Sequence, residues 1–420
     1  MNPILQRPCS FCCIPVDIHL ARRFSQNSKN VSIPLDMTKM RFLIAPDKFK
    51  GSLSALQVAE NIALGLRDAM PDAEIETASV ADGGEGTAEV ICSSRGGEWV
   101  RCSAHGPLGD PIEACYAWFE ERASAVIEMS EAAGLRALKN SARDVLRANT
   151  FGVGEMLLDA AQRGAREIIV GLGGSVTNDA GFGMARPLGF RFVAGEKELT
   201  DVPSLLQLTQ IVSRPQIAGA VVTGPESKER PLVQTPLQHT RVVGAVDVKN
   251  ALLGKHGATR TFGPQKGATP EQIEILERAL TRLADVIERD LGCDFRETPG
   301  AGAAGGLGFG LKSFCHAELK PGFDVVAAAV GLEEKIRSAD VVITGEGSLD
   351  RQTLEGKTPA GVARLAHKFR KRVFALVGRA DHSSQVRGMF DGVYELAGTI
   401  PEARELLRAR ARELAQALKH

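Results

Sequence analysis

From residue 40 onward, short apolar runs that read as strands alternate with amphipathic stretches that read as helices. No other feature narrows the fold as much, because strands separated by helices build a largely parallel sheet covered by helices. RFLIAP (41–46) reads as the first strand. The helix after it starts at Ser54, with Gln57 completing a capping box, and carries an apolar stripe of Leu56, Ala59, Ala63, Leu66 and Met70. Later strands are expected at SAVIEM (124–129), EIIVGL (167–172), VVGAVDV (242–248), DVVITGEG (340–347) and RVFALVG (372–378). The clearest helix spans 270–291: Thr269 caps it, Pro270 takes its first position, Gln272 closes the box and Gly292 stops it. A last helix is expected over 401–418. The pattern predicts an α/β architecture. Residues 1–39 lack it and are expected to form a disordered extension; Met37 and Met40 both stand just before the first strand.

Composition excludes several classes of function. The 51 Lys and Arg residues balance 51 Asp and Glu, so the basic excess typical of a nucleic-acid or membrane-surface protein is missing. No apolar run approaches the roughly 18 residues of a membrane helix. The eight cysteines are sparse and unevenly spaced, which fits a reduced, cytoplasmic chain better than a disulfide framework. Cys9, Cys12 and Cys13 cluster, but no second pair or matching histidines complete a zinc site. Glycine is abundant, at 44 of 420 residues, which points to tight turns and backbone-lined ligand loops.

In open α/β sheets ligands bind beyond the carboxyl ends of the strands. The turns there read APDKFKGS (45–52), VADGGEGT (80–87), GLGGSVTNDAG (171–181), FGPQKG (262–267), GAGAAGGLGFG (300–310) and TGEGSLDRQTLEGKTP (344–359). Glycine lets backbone N–H groups approach a phosphate. Lysine supplies compact positive charge, and one or two carboxylates hold Mg²⁺ together with substrate phosphates. These are the components of phosphoryl transfer to a hydroxyl group.

Two string matches fail in context. Gly300, Gly302 and Gly305 fit a dinucleotide fingerprint, but the preceding FRETP is no strand. Gly356-Lys357-Thr358 resembles the end of a P-loop, but Arg351 stands where the first glycine belongs. No G-x-S-x-G elbow supports a serine hydrolase. Simpler roles compete for each loop residue: Asp82 and Glu85 as turn formers, Ser175 to Asp179 as helix caps, Lys266 as a solvated lysine, Glu128 as an ordinary exposed acid. Two acids among three glycines, and four polar groups where one cap suffices, favour a ligand site.

Taken together, IAPDKFKGSLSA, ADGGEGT, FGVGEML, GLGGSVTNDAGFGM, FGPQKGATPE, PGAGAAGGLG and TGEGSLDRQTLEGKTPAGVA resemble, in that order from Met40 to the C-terminus, the bacterial glycerate kinases of the first type. The resemblance implies ATP- and Mg²⁺-dependent phosphorylation of D-glycerate, with 2-phosphoglycerate favoured over 3-phosphoglycerate. It implies two α/β domains: a flavodoxin-like parallel sheet built from both chain ends, 40–100 with 300–420, and an inserted α/β domain over 101–299. A kinase for another small hydroxy acid, or a non-catalytic metabolite-binding regulator on the same fold, stands as the alternative.

Within that frame, Asp47, Asp179 and Asp350 are candidates for the base and the Mg²⁺ ligands, with Lys48 beside them. Lys50, Ser175, Thr177 and Asn178 are expected to hold the substrate, whose carboxylate wants a cationic or N–H-rich cradle. Gly83, Gly84, Lys266, Gly345, Gly347 and Lys357 are expected at the ATP phosphates, and Asp82, Glu85 and Glu346 at the metal. The chain departs from the family pattern at residues 1–39 and in a long surface loop at 219–240. It also departs at Lys249 and Ala251, where Asp247 and Asn250 remain, at Ala180 in place of a glycine, and at Arg186-Pro187. Pro187 is expected to kink or end its helix early.

Overall fold

The computed structural model describes residues 39–138, 143–213, 237–350, 357–381, 384–396 and 402–419. All but Lys39 of the expected N-terminal extension, and all but 237–240 of the long loop, lie outside these. The described strands are β1 Arg41–Ile44, β2 Glu74–Thr77, β3 Glu98–His105, β4 Pro111–Phe119, β5 Ser124–Glu128, β6 Glu167–Gly171, β7 Phe190–Ala194, β8 Lys197–Glu198, β9 Gln210–Ser213, β10 Arg241–Val246, β11 Glu318–Pro321, β12 Val341–Leu349, β13 Arg372–Ala380 and β14 Gly392–Glu395.

Five strands from the two ends of the chain form one parallel sheet, in the order β14-β13-β12-β1-β2. A second sheet has the order β11-β10-β6-β5-β4-β3. Its first four strands are parallel, and β3 and β4 run antiparallel at the edge. The hairpin breaks the expected parallel pattern because the turn between β3 and β4, closed by the Gly106 N–H on the Asp110 carbonyl at 2.8 Å, is too short for a crossover helix. A small antiparallel sheet, β8-β7-β9, completes the set. The second sheet runs from Glu98 to Pro321, so the return to the first sheet comes later than the expected residue 300. The reason is that β11 pairs with β10.

The apolar faces make five layers. Helices Ala55–Ala69 and Ala403–Ala417 cover the outer face of the five-stranded sheet. Helices Thr87–Arg95, Gly322–Ala329, Leu332–Ser338 and Thr358–Lys368 lie between the sheets, in one core that takes in Val342 and Ala375 from the first sheet and Val126, Ile169 and Val243 from the second. Helices Phe151–Gln162, Pro270–Leu291 and Ala303–Cys315 cover the far face. Local signals held where they were strong. Ser54 and Gln57, and Thr269 and Gln272, form capping boxes, and Gly292 ends its helix in the left-handed region at φ 70°. Helix Phe182–Ala185 stops just before Pro187. No helix of the described residues is long and apolar enough to cross a membrane.

Candidate active site

Past β2 the chain leaves the five-stranded sheet and lays the loop 82–86 over the carboxyl ends of β6, β10 and β11. The contact is backbone against backbone. A Cβ on Gly83 would stand 2.7 Å from Gly322 Cα, one on Gly173 2.5 Å from Gly84 Cα, and one on Gly171 2.8 Å from the Gly83 carbonyl oxygen. Glycine is required here because any side chain would hold the two loops apart.

This seam gathers charge from both sheets. Asp47 follows β1, and its N–H donates to the Gly345 carbonyl at 2.8 Å. Its carboxylate accepts the Lys48 N–H at 2.7 Å and the Thr358 hydroxyl at 2.6 Å. Burial, reinforced by Asp82, pushes Asp47 up to about 6, while Lys48 and Thr358 pull it back. Asp247, just past β10, is open to solvent on one side and hemmed by protein on the others. Burial and then Asp82 push it up to about 6, and Lys357 and Lys48 act against that. Three acids and two lysines from separate segments therefore share one field. Lys48 also donates its ammonium to the Glu85 carbonyl. Glu128, at the end of β5, accepts the Gly86 and Ala88 N–H groups, each at 2.9 Å. It thus closes the positive end of helix Thr87–Arg95. Burial raises the Glu128 pKa, opposed by those two N–H groups.

Behind the seam stands the turn after β6. Thr177 N–H donates to Ser175 Oγ at 3.1 Å, and Lys266 Nζ donates to the Thr177 carbonyl at 2.7 Å and to Ser175 Oγ at 3.4 Å. Lys266 is only 5% exposed, and burial drives its pKa down to about 7 against the pull of Asp179. Asp179 is fully buried. It accepts Thr150 N–H and hydroxyl at 2.8 Å each, Gly183 N–H at 2.9 Å and Gly181 N–H at 3.2 Å. Asn178 donates to Thr259 Oγ1 at 2.9 Å, and its buried Oδ1 has no partner among the described residues. Ala304, Gly305 and Gly306, all left-handed, wrap this turn, with Ala180 N–H donating to the Gly305 carbonyl at 3.0 Å. The glycine-rich 300–310 segment is thus a support for the turn. Ala180 is itself left-handed, at φ 51°, a region that favours glycine.

Two strand-end arrays that share acids, lysines and a close glycine seam belong to a recognisable group of proteins. The model of the Glycerate kinase family matches residues 42–420. The chain belongs to the glycerate kinase family. It is 38% identical over 390 residues to the glycerate kinase of Bacillus subtilis (strain 168), covering 90% of this chain and 98% of that one. It is 39% identical over 372 residues to the glycerate 2-kinase of Escherichia coli (strain K12), covering 87% and 93%. The crystal structure of a protein assigned as glycerate kinase 2 from Salmonella typhimurium LT2 matches with a TM-score of 0.78 at 39% identity, covering 91% and 98%. As a member of the glycerate kinase family, the chain is an enzyme with ATP as a substrate.

For a glycerate kinase, the structure sorts the expected residues into two groups. Asp47, Lys48, Asp82 and Lys357 come together, and Lys50 and Glu85 line the same cleft. Asp350 is half-buried directly after β12. The others have different work. Asp179 has its carboxylate committed to four donors, so it is placed as a buried cross-link and not as a base or metal ligand. Lys266 is buried behind the 175–177 turn, with its ammonium given to the Thr177 carbonyl and Ser175 Oγ. Thr177 and Asn178 are fully buried, which leaves Ser175 as the more accessible member of that set. Gly83 and Gly84 serve the seam. The expected turn at 344 is strand, since β12 runs to Leu349 beside β13. Gly345 lies there against the Leu376 carbonyl, a Cβ on Gly347 would stand 3.6 Å from Lys50 N, and Glu346 is buried within the strand. Among the described residues no group of three His, Cys, Asp or Glu side chains is placed to hold a metal ion by itself. Asp247 is a retained residue of the family pattern that the sequence reading left off the expected site, because it falls inside the strand expected over 242–248. The available signal was an acid directly after the apolar run of a parallel strand. Glu128, at the end of β5, carries the same signal beside the simpler role of an ordinary exposed acid, whereas Thr358 offers none.

Proposed function

We propose that this chain transfers the γ-phosphoryl group of ATP to the 2-hydroxyl of D-glycerate, and that Asp247 is the general base. The observation that supports it is the meeting of Asp47, Asp82, Asp247, Lys48 and Lys357 at the seam between the two sheets. The glycerate hydroxyl oxygen attacks the γ-phosphorus, the bond from that phosphorus to the β,γ-bridging oxygen breaks, and ADP departs. The hydroxyl proton passes to the Asp247 carboxylate, which is accessible, whereas both Asp47 oxygens already accept hydrogen bonds. Asp47 instead fixes Lys48 and the start of helix Thr358–Lys368. Lys48 and Lys357 neutralise charge spreading over the phosphoryl oxygens. Lys50 and Ser175 receive the glycerate carboxylate.

The donor set fits Mg²⁺. Carboxylate oxygens are hard ligands, and the mutual repulsion around Asp82 is relieved by a divalent cation. With no cage of three side chains among the described residues, Asp82 and at most one neighbouring acid would hold the ion together with phosphate oxygens. When bound, the ion would supply charge neutralisation at the nucleotide phosphates. We further infer that the molecule works in the cytoplasm as two α/β domains, 39–97 with 322–419 and 98–321, facing each other across the seam. A coupled assay of ADP release with D-glycerate, L-glycerate, glycolate and lactate, followed by ³¹P NMR of the product, tests the reading. ADP release with D-glycerate and a 2-phosphoglycerate signal are expected. Turnover confined to another hydroxy acid, or absent with all four, refutes it.

A further inference from the structure

The cleft that holds Asp47, Lys48 and Glu85 is a hollow of about 580 Å³. Its walls are the loop Lys50–Ser54, the start of helix Thr87–Arg95 with Glu89, and the edge of the second sheet with Trp99, Cys115, Glu128 and Glu131. Trp99 is 50% exposed, one of three exposed large apolar side chains among the described residues, and it alone of the three lines this cleft. Strand register sets its direction. Trp99 on β3 stands opposite Ala117, which stands opposite Val126, then Ile169, then Val243. The other four members of that row are buried in the core between the sheets. The indole is the open end of a row whose side chains all point toward the first sheet.

We propose that Trp99 is the platform on which the base of the phosphoryl-donor nucleotide stacks, with the triphosphate directed toward Lys48. This rests on the reading of the chain as an ATP-dependent kinase and adds where the nucleotide lies. Charge orients it. Lys48 lies beside Asp47 and Glu85 and shares the hollow with Lys50, whereas Glu89 and Glu131 line it together with Trp99, Glu131 accepting from Cys115 on the strand next to that of Trp99. Those carboxylates repel phosphate and accept from an exocyclic amine, so the base belongs at the tryptophan end. The span agrees. Trp99 lies two strands, about 10 Å, across the sheet from Glu128 and two residues, about 7 Å, along it. Glu128 in turn grips the Gly86 and Ala88 N–H groups beside the Glu85 carbonyl that holds Lys48. A nucleoside triphosphate in extended form bridges that separation.

The chain has two tryptophans, and Trp118 is 3% exposed, so a ligand on Trp99 has a clean optical readout. Titration of the full-length protein with ADP, corrected for nucleotide absorbance, is expected to quench its tryptophan emission, and Trp99→Phe to abolish the quenching. Trp99→Ala is expected to raise KM for ATP at least about tenfold, a loss of about 1.4 kcal/mol. KM for D-glycerate should hold, and Trp99→Phe should restore most of the ATP affinity. Quenching that persists in Trp99→Phe, or an unchanged KM for ATP in Trp99→Ala, overturns the proposal. A changed oligomeric state of Trp99→Ala with wild-type KM for ATP overturns it too, by making Trp99 a contact between copies. If wild-type protein shows Trp99-dependent quenching by ADP but no turnover of D-glycerate, the nucleotide site stands and the assigned reaction falls.

Discussion

Gly322→Ala tests the seam on which the site depends. Gly322 opens helix Gly322–Ala329, and a Cβ there would stand 2.5 Å from the Asp82 carbonyl carbon and 2.6 Å from Gly83 Cα. Ordinary contact begins near 3.4 Å and the nearest atom of all is the Asp82 carbonyl oxygen, so the 82–86 loop must retreat by more than about 1 Å. The obstructing atoms are backbone, with no flexible side-chain tip to swing aside. Overpacking of this kind costs about 1–3 kcal/mol of stability. The functional cost is larger, because the loop carries Asp82 and its Glu85 carbonyl holds Lys48, and a shift of about 1 Å at a reacting centre costs about 10²-fold. A suitable control is Gly331→Ala, at φ +66° with nothing within 4 Å, where left-handed strain alone costs about 1–2 kcal/mol. Both variants should melt earlier than wild type. Only Gly322→Ala should lose about a hundredfold in kcat/KM in a coupled assay with D-glycerate and ATP. Wild-type kcat/KM in folded Gly322→Ala, or an equal loss in Gly331→Ala, refutes the idea that this backbone seam positions the chemistry.

Other outcomes follow from the same geometry. Asp247→Asn should lower kcat by about 10²–10⁴ with an unchanged melting temperature, and near-normal turnover would remove the residue from the mechanism. Asp47 and Asp247 are both raised to about 6, so protonation should make kcat/KM fall as pH drops through about 6. Lys357 favours ionised Asp247, so Lys357→Ala should move that acid limb upward, and an unmoved limb in a variant with residual activity contradicts the arrangement. Lys266 has a folded pKa lowered to about 7 from 10.5, so the folded state resists charging it. Its stability contribution is present above the unfolded value and lost as pH falls through about 7. Thermal melts should therefore show Lys266→Met gaining on wild type between pH 9 and pH 6; the opposite trend is incompatible with a buried amine. Asp179→Ala orphans buried donors at about 1–3 kcal/mol each, so a collapse in melting temperature is expected. An unchanged melt with turnover alone lost would return Asp179 to the chemistry.

Much of the architecture was legible in the sequence because it is encoded locally. The capping boxes at Ser54 and Thr269, the stop at Gly292 and the apolar runs of β1, β5, β6, β10, β12 and β13 each follow from short-range propensity and periodicity. The family was legible too, since ordered motifs record shared ancestry without any need of geometry. Asp47, Lys48, Asp82 and Lys357 could be singled out because each stands where a strand or a glycine-rich loop ends. Sequence could not separate an acid that faces a cleft from one that cross-links a core. Asp179 and Asp82 both lie in glycine-rich loops past strand ends, yet one is enclosed by Thr150, Gly181 and Gly183 and the other faces Asp47 and Asp247. Lysine was equally ambiguous, because Lys266 was read by its charge whereas burial makes it a donor to the Thr177 carbonyl. The glycines at 83, 84 and 173 looked like phosphate loops, but their role is set by backbone distant in the sequence, Gly322 for Gly83 and Gly173 for Gly84. Local chemistry determined which elements form and which residue types they offer; the approach of two sheets, a long-range packing outcome, decided which of those residues meet.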